Sequence, residues 1–320
     1  MPVTNFPNGV SSFGFPVIGS GPILTTGNVF FVSSVATKRS DAPYPAAGGS
    51  PDTPFATLDY AIGQCTASNG DVIFCMPGHV ESVPAAASVA LDVAGVSIIG
   101  IGRGSLRPKI NMTTAVGASF KVTAANCLVQ NLLFAGGFDA LTNPVDIRAA
   151  DFTMLDCETR DVTGQATDFI VTTAAADRLL IKRWRHSGAT AAGADTALSI
   201  VGGDGIVVED FDIFGNFAVA AIENVTTACT NLRIGGGATQ NFIQNGLDNA
   251  AVVAVTLVAT STGHVGPNIN VRIGLDSTSN TTNITEAFVG AAMQFFLPLN
   301  ICNLGGEVAM ASNITASTDA

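Results

Sequence analysis

One pattern recurs through the middle of the chain about every 25 residues, and few architectures repeat at that length. Four segments carry it most clearly: FKVTAANCLVQN from Phe120, VDIRAADFTMLD from Val145, FIVTTAAADRLLIK from Phe169 and LSIVGGDGIVVED from Leu198. Each has an alternating apolar strand, a small-residue corner with an Asn or Asp, and a second alternating strand. The corner residues read as Asn126, Asp151, Asp177 and Asp204, at intervals of 25, 26 and 27. Period-2 alternation in runs of three to five residues marks strands, not helices. Stacking such coils pairs every strand with the coils on either side. Asn and Asp tolerate the left-handed backbone that a tight corner needs, so the four corner residues are expected to form a polar structural ladder. Weaker copies flank the four, VAGVSIIGI from Val93 and AIENVTTACTNLRI from Ala221. The fold class that follows is all-β, a right-handed parallel β-helix of about six to eight coils.

The ends differ from the middle. Residues 1–27 are rich in Gly and Pro, carry Phe6, Phe13 and Phe15 without a clear period, and read as an extended arm. Residues 28–70 hold a short strand at Val29 to Val32 and then Asp52-Thr53-Pro54 ahead of Phe55, Leu58 and Ile62, the signature of a short amphipathic capping helix ending near Gly70. The β-helix proper is expected over 71–248. Residues 249–320 read as a separate β-rich module for oligomerisation, whose Met293, Phe295 and Phe296 are too apolar to stay wet and should cover an oligomer or shell contact, as should the Phe residues of the arm.

Fourteen basic against twenty-five acidic residues give a net charge of −11, which excludes the basic footprint of a nucleic-acid binder. The opening residues lack the basic segment of a secretory signal, and no run reaches the 18 or so apolar residues of a membrane helix, so no membrane partner is expected. Six cysteines without paired short spacings read as reduced core thiols.

Chemistry on such a fold would sit on a coil face. Five positions beyond the corners come Asn131, Asp156, Lys182 and Glu209, whose alternating sign suits a charge ladder between coils. Asp156 with Glu158 or Glu209 could nevertheless supply the two carboxylates of a glycosidase, with Trp184 as a glycan platform. Arg185, His186, Asp210 and Asp212 are nearby in the repeat. His79 and Glu81 form an H-x-E, but the P-C-x-x-C partner of a zinc deaminase is missing, so neither metal nor cofactor is expected. The run from Gly100 to Ser105 lacks the Gly-Lys-Ser/Thr of a phosphate loop and reads as a turn.

GNVFFVSS, SPDTPFATLDYAI and NGDVIFCMPGHVESV together resemble the opening of pectate-lyase-like right-handed β-helix proteins encoded by tailed bacteriophages. The stretch EAFVGAAMQFFLPLNICNLGGEVAMASNITAST resembles their close. The resemblance implies a virion structural protein, usually a homotrimer, contacting the major capsid protein or other virion proteins. A capsid decoration or cement protein without enzymatic activity is the expectation. The alternative is a tailspike or fibre that binds, and perhaps cleaves, host surface polysaccharide. The calcium-binding aspartates and catalytic arginine of the pectate lyases have no matching arrangement here.

Overall fold

A computed structural model of the chain describes residues 25, 27–41, 48–161, 166–188, 193–245 and 253–273, with short strands at 11–12, 15–16, 288–289, 293–295 and 299–303. It is a right-handed parallel β-solenoid, as the repeat predicts. Three parallel sheets of ten, nine and eight strands run its length. Eight strands in the shortest sheet amount to seven full turns. Sheet A opens with Val29–Val32, Val72–Cys75, Ser97–Gly100 and Leu128–Gln130. Sheet B contains Val80–Val83, Lys109–Met112, Leu133–Gly136 and Glu158–Asp161, and sheet C contains Phe120–Val122, Val145–Ile147 and Asp168–Thr172.

Alternation decides what is inside. The middle column of sheet A, Ile73, Ile98, Val129, Met154, Ile181, Val208, Ile234 and Val265, is wholly buried in the lumen. Such a column aligns one apolar side chain per coil every 4.8 Å or so.

Two corners flank sheet A, and both are built from left-handed residues. The corner before it stacks Gly70, Gly95, Asn126, Asp151, Arg178, Gly205 and Asn231, all with positive φ. The corner after it stacks Asn131, Asp156, Arg183, Asp210 and Gly236, also with positive φ. Left-handed backbone turns each corner N–H along the solenoid axis toward the next coil. Asn131 donates to the Leu155 carbonyl, Asp156 to that of Lys182 and Arg183 to that of Glu209.

This register corrects the expected ladder. Asn126 and Asp151 hold the left-handed place as anticipated, but in the next two coils Arg178 and Gly205 hold it, not Asp177 and Asp204. Arginine is a rarer left-handed residue than aspartate, and here its guanidinium reaches back to an acid of the preceding coil.

The ends are revised too. Phe55 is taken up by a bridge to Val32, so the helix is shorter than its sequence pattern: α1 spans Leu58–Gly63, with Thr57 as N-cap. Glu81 accepts from the Leu58 N–H (2.8 Å) and Asp59 from the Ala90 N–H (3.1 Å), fixing α1 to the first coil. Beyond residue 248, Val253–Thr256, Gly263–Val265 and Ile269–Ile273 continue sheets C, A and B in parallel register. The boundary expected there therefore falls inside the solenoid, and the described strands of 249–320 are further coils. Phe295 pairs with Val265 and Met293 with Gly263, both in sheet A. Phe15 lies in a two-residue strand paired with Ser11–Ser12. Phe6, Phe13 and Phe296 lie outside the described residues.

Candidate functional site

The flank formed by sheet A, its second corner and the start of sheet B carries all the expected acidic candidates. Asp156 stands in the left-handed corner, Glu158 two residues later at the start of sheet B, and Glu209 at the end of a sheet A strand. Register puts Glu209 two coils above Leu155, the neighbour of Asp156. The coil between them inserts two cations. Arg183 grips Asp156 through two nitrogens (2.5 and 2.9 Å), and Lys182 pairs with Glu209. Glu158 is held by Arg107 (3.0 Å) and by Arg160.

Electrostatics follow from these pairs. The Arg183 guanidinium, helped by the Gln130 amide, holds the Asp156 carboxyl below the usual carboxylate range. Asp151 is lowered likewise by Arg178 on the first corner. Asp210 is lowered despite its burial, by the Thr239 amide and hydroxyl and by Lys182. Glycoside hydrolysis needs one carboxyl kept protonated beside another that is ionised. Asp156, Glu158 and Glu209 are instead all ion-paired, which is a ladder's arrangement. A double-mutant cycle on Asp156→Ala and Arg183→Ala should return a coupling of about 0.2–1 kcal/mol that shrinks in high salt, as for partly exposed pairs. A coupling insensitive to salt would contradict that picture.

Trp184 is not a glycan platform. It is 1% exposed and stacks in a buried corner column with Leu132, Cys157 and Phe211. Its indole Nε1 donates to Thr159 Oγ1 (2.8 Å), and that hydroxyl lies 2.8 Å from His186 Nδ1. The same hydroxyl also lies 3.5 Å from the Arg185 carbonyl, so it bridges the indole, the imidazole and the backbone of the next coil. Thr159 and His186 occupy neighbouring places in the inner column of sheet B, where Phe134 precedes and Ile213 follows. Among the described residues His186 Nε2 has no partner, nor do Asp161 Oδ1 and Asn216 Oδ1, both near the end of the same sheet.

Two of these groups titrate abnormally. Burial raises the Asp161 carboxyl to about 6, with Asp139 adding to the effect, against 3.8 for an ordinary aspartate. Burial also lowers His186 to about 3 from 6.5. The protonated Asp161 is the form the fold favours, so its stabilising contribution is complete below pH 3.8 and is lost as pH rises through 6. The fold rejects the protonated His186, so stability is lost as pH falls from 6.5 toward 3. Between about pH 6 and 4 the two oppose each other. Asp161→Asn should therefore be more stable than the parent at pH 7 by about 1–3 kcal/mol, converge on it near pH 4, and lose stability more steeply on acidification. Urea midpoints across that range test this, and parallel curves for the two proteins would refute it.

The remaining motifs are structural. Cys65, Cys75, Cys127, Cys157 and Cys229 are free thiols. Burial pushes Cys65 and Cys157 to about 12 and Cys229 to about 11, which removes the reactive thiolate at neutral pH. Among the described residues no group of three or more His, Cys, Asp or Glu side chains could hold a metal ion, and no helix is long and apolar enough to cross a membrane. His79 is fully buried, accepts from the Ser34 N–H at Nδ1 (2.9 Å) and has Nε2 3.2 Å from Glu81 Oε2. One further buried acid stands outside every motif of the sequence: Asp71 accepts from the Asn28 and Thr66 N–H groups (both 2.6 Å) and from the Asn69 amide (2.7 Å). Its only sequence signal is an Asp directly ahead of an apolar strand. No protein-family model, curated protein or solved structure matches the chain.

Proposed function

We propose that the chain is a structural protein of a tailed-bacteriophage virion, a homotrimer that decorates or cements the head shell through contacts with the major capsid protein or other virion proteins. The phage assignment rests on the resemblance of the segments at both ends of the chain. The observation that carries the structural role is the charged flank: Asp156, Glu158 and Glu209 each have a cation of their own or a neighbouring coil. Carboxylates so paired stiffen a stack of coils and leave none poised for proton transfer. A buried Trp184 removes the one tryptophan that a sugar could have stacked on.

Copy number in purified virions is the test. Hundreds of copies per particle are expected for head decoration, whereas a handful, together with retention of the protein on host capsule, would move it to the tail. Mass in solution should be that of a trimer.

A further inference from the structure

Charge is unevenly distributed along the solenoid axis. Residues 186–320 carry eleven carboxylates against two basic side chains, whereas residues 38–109 carry five basic side chains against six carboxylates, of which Asp71 and Glu81 are buried. Three segments converge on buried His79, and Lys38, Arg39, Arg103 and Lys109 lie within a few residues of the points where they meet. The Ser34 N–H donates to His79 Nδ1, and the Val80 N–H donates to Ser34 Oγ (2.8 Å). The Lys109 N–H donates to the His79 carbonyl (2.9 Å) and the Gly78 N–H to the Leu106 carbonyl (2.8 Å). The H-x-E motif is the peg of this corner.

The knob so formed is apolar and cationic at once. Val35, Val80, Ile101 and Leu106 are 61%, 40%, 40% and 55% exposed, four of the six large apolar side chains exposed to that degree among the described residues. Lys38, Arg39 and Arg103 are exposed around them, and Lys109 is half-exposed. None of these four has a carboxylate partner among the described residues, in contrast to Arg148, Arg160, Arg178, Lys182, Arg183 and Arg185, all of which are ion-paired. The cations of the ladder are thus committed internally and those of the knob are not.

We propose that this knob is a docking surface for an acidic protein partner that has apolar relief of its own. Uncommitted cations around exposed aliphatic side chains complement that chemistry, since electrostatics steer the encounter and apolar contact holds it. A lipid surface fits less well, because no aromatic side chain, the usual anchor at the headgroup level, stands among those exposed. The inference goes beyond the virion reading and does not depend on it.

Two acidic probes test it with the full-length protein: poly-L-glutamate and a random glutamate–leucine copolymer, each immobilised. The parent should be retained on both, more tightly on the copolymer. Lys38→Glu with Arg103→Glu should weaken retention about tenfold or more, while Lys121→Glu with Arg233→Glu, the same change in net charge elsewhere, should leave it unchanged. Ile101→Ser with Leu106→Ser should erase the preference for the copolymer. Far-UV dichroism and urea midpoints equal to the parent's establish that each variant is folded. Equal loss in both charge pairs, no preference for the copolymer, or no retention of the parent would overturn the proposal. Flotation with phosphatidylglycerol-containing vesicles, without retention on either polymer, would replace the protein partner with a membrane.

Discussion

Trp184→Ala should unfold the solenoid at a markedly lower urea concentration, with a loss of about 3–5 kcal/mol, the range for removing a large aromatic from a core. The side chain is 1% exposed and is the largest of those that are fully buried. Truncation would leave a void between Cys157 and Phe211 and take from Thr159 the donor that the indole supplies. A glycan platform predicts the reverse: an unchanged midpoint and a lost sugar contact. Trp184→Phe separates the two contributions, since it keeps most of the volume and removes the Nε1–H. It should recover more than half of the loss. Recovery near zero would mean that the hydrogen bond to Thr159, not the volume, dominates.

That Trp184 is buried and not on the open face has one physical cause. The repeat, its length, the strands and the inward apolar column are all legible, because period 2 and the 25-residue spacing are properties of the letters alone. The position of the left-handed residue within each corner is not. Aspartate is a far better left-handed candidate than arginine, so Asp177 and Asp204 attract the corner, one residue ahead of Arg178 and Gly205. Because side chains alternate, a slip of one residue exchanges inside for outside. Counted from Asp177, the charged place falls on Lys182. Counted from Arg178 it falls on Arg183, and Trp184 then aligns with Leu132, Cys157 and Phe211, which are all buried.

The sequence also conceals which arginines stand in a left-handed corner. Arg178 and Arg183 do so where Asp151 and Asp156 lie one coil below, so the pairing is made by stacking and cannot be read along the chain. The apparent change of pattern after Asn245 has a similar origin. Continuity there depends on partners about 30 residues apart, such as Phe242 with Asn270 and Ile222 with Val255, which pair although the segments between them differ in length.

Asp71→Ala should release the beginning of the solenoid while leaving its middle intact. Asp71 is fully buried, and its two oxygens take three donors from two segments: Asn28 at the entry to sheet A, and Thr66 and Asn69 in the loop that leaves α1. Alanine would strand two backbone N–H groups and an amide in a site shaped around a carboxylate. The expected cost is about 3–5 kcal/mol, since each hydrogen bond to a charged acceptor contributes about 1.5–3 and part is recovered by water. In a solenoid each coil touches only its neighbours, so the damage should stay local. Hydrogen exchange should accelerate over residues 28–75 and remain slow in the sheet A strands Leu128–Gln130 through Val207–Glu209. Asp71→Asn, which keeps one carbonyl oxygen as an acceptor, should lie between the two. Uniform acceleration along the whole chain would mean that the coils unfold as a single unit and that the N-terminal cap holds the entire stack.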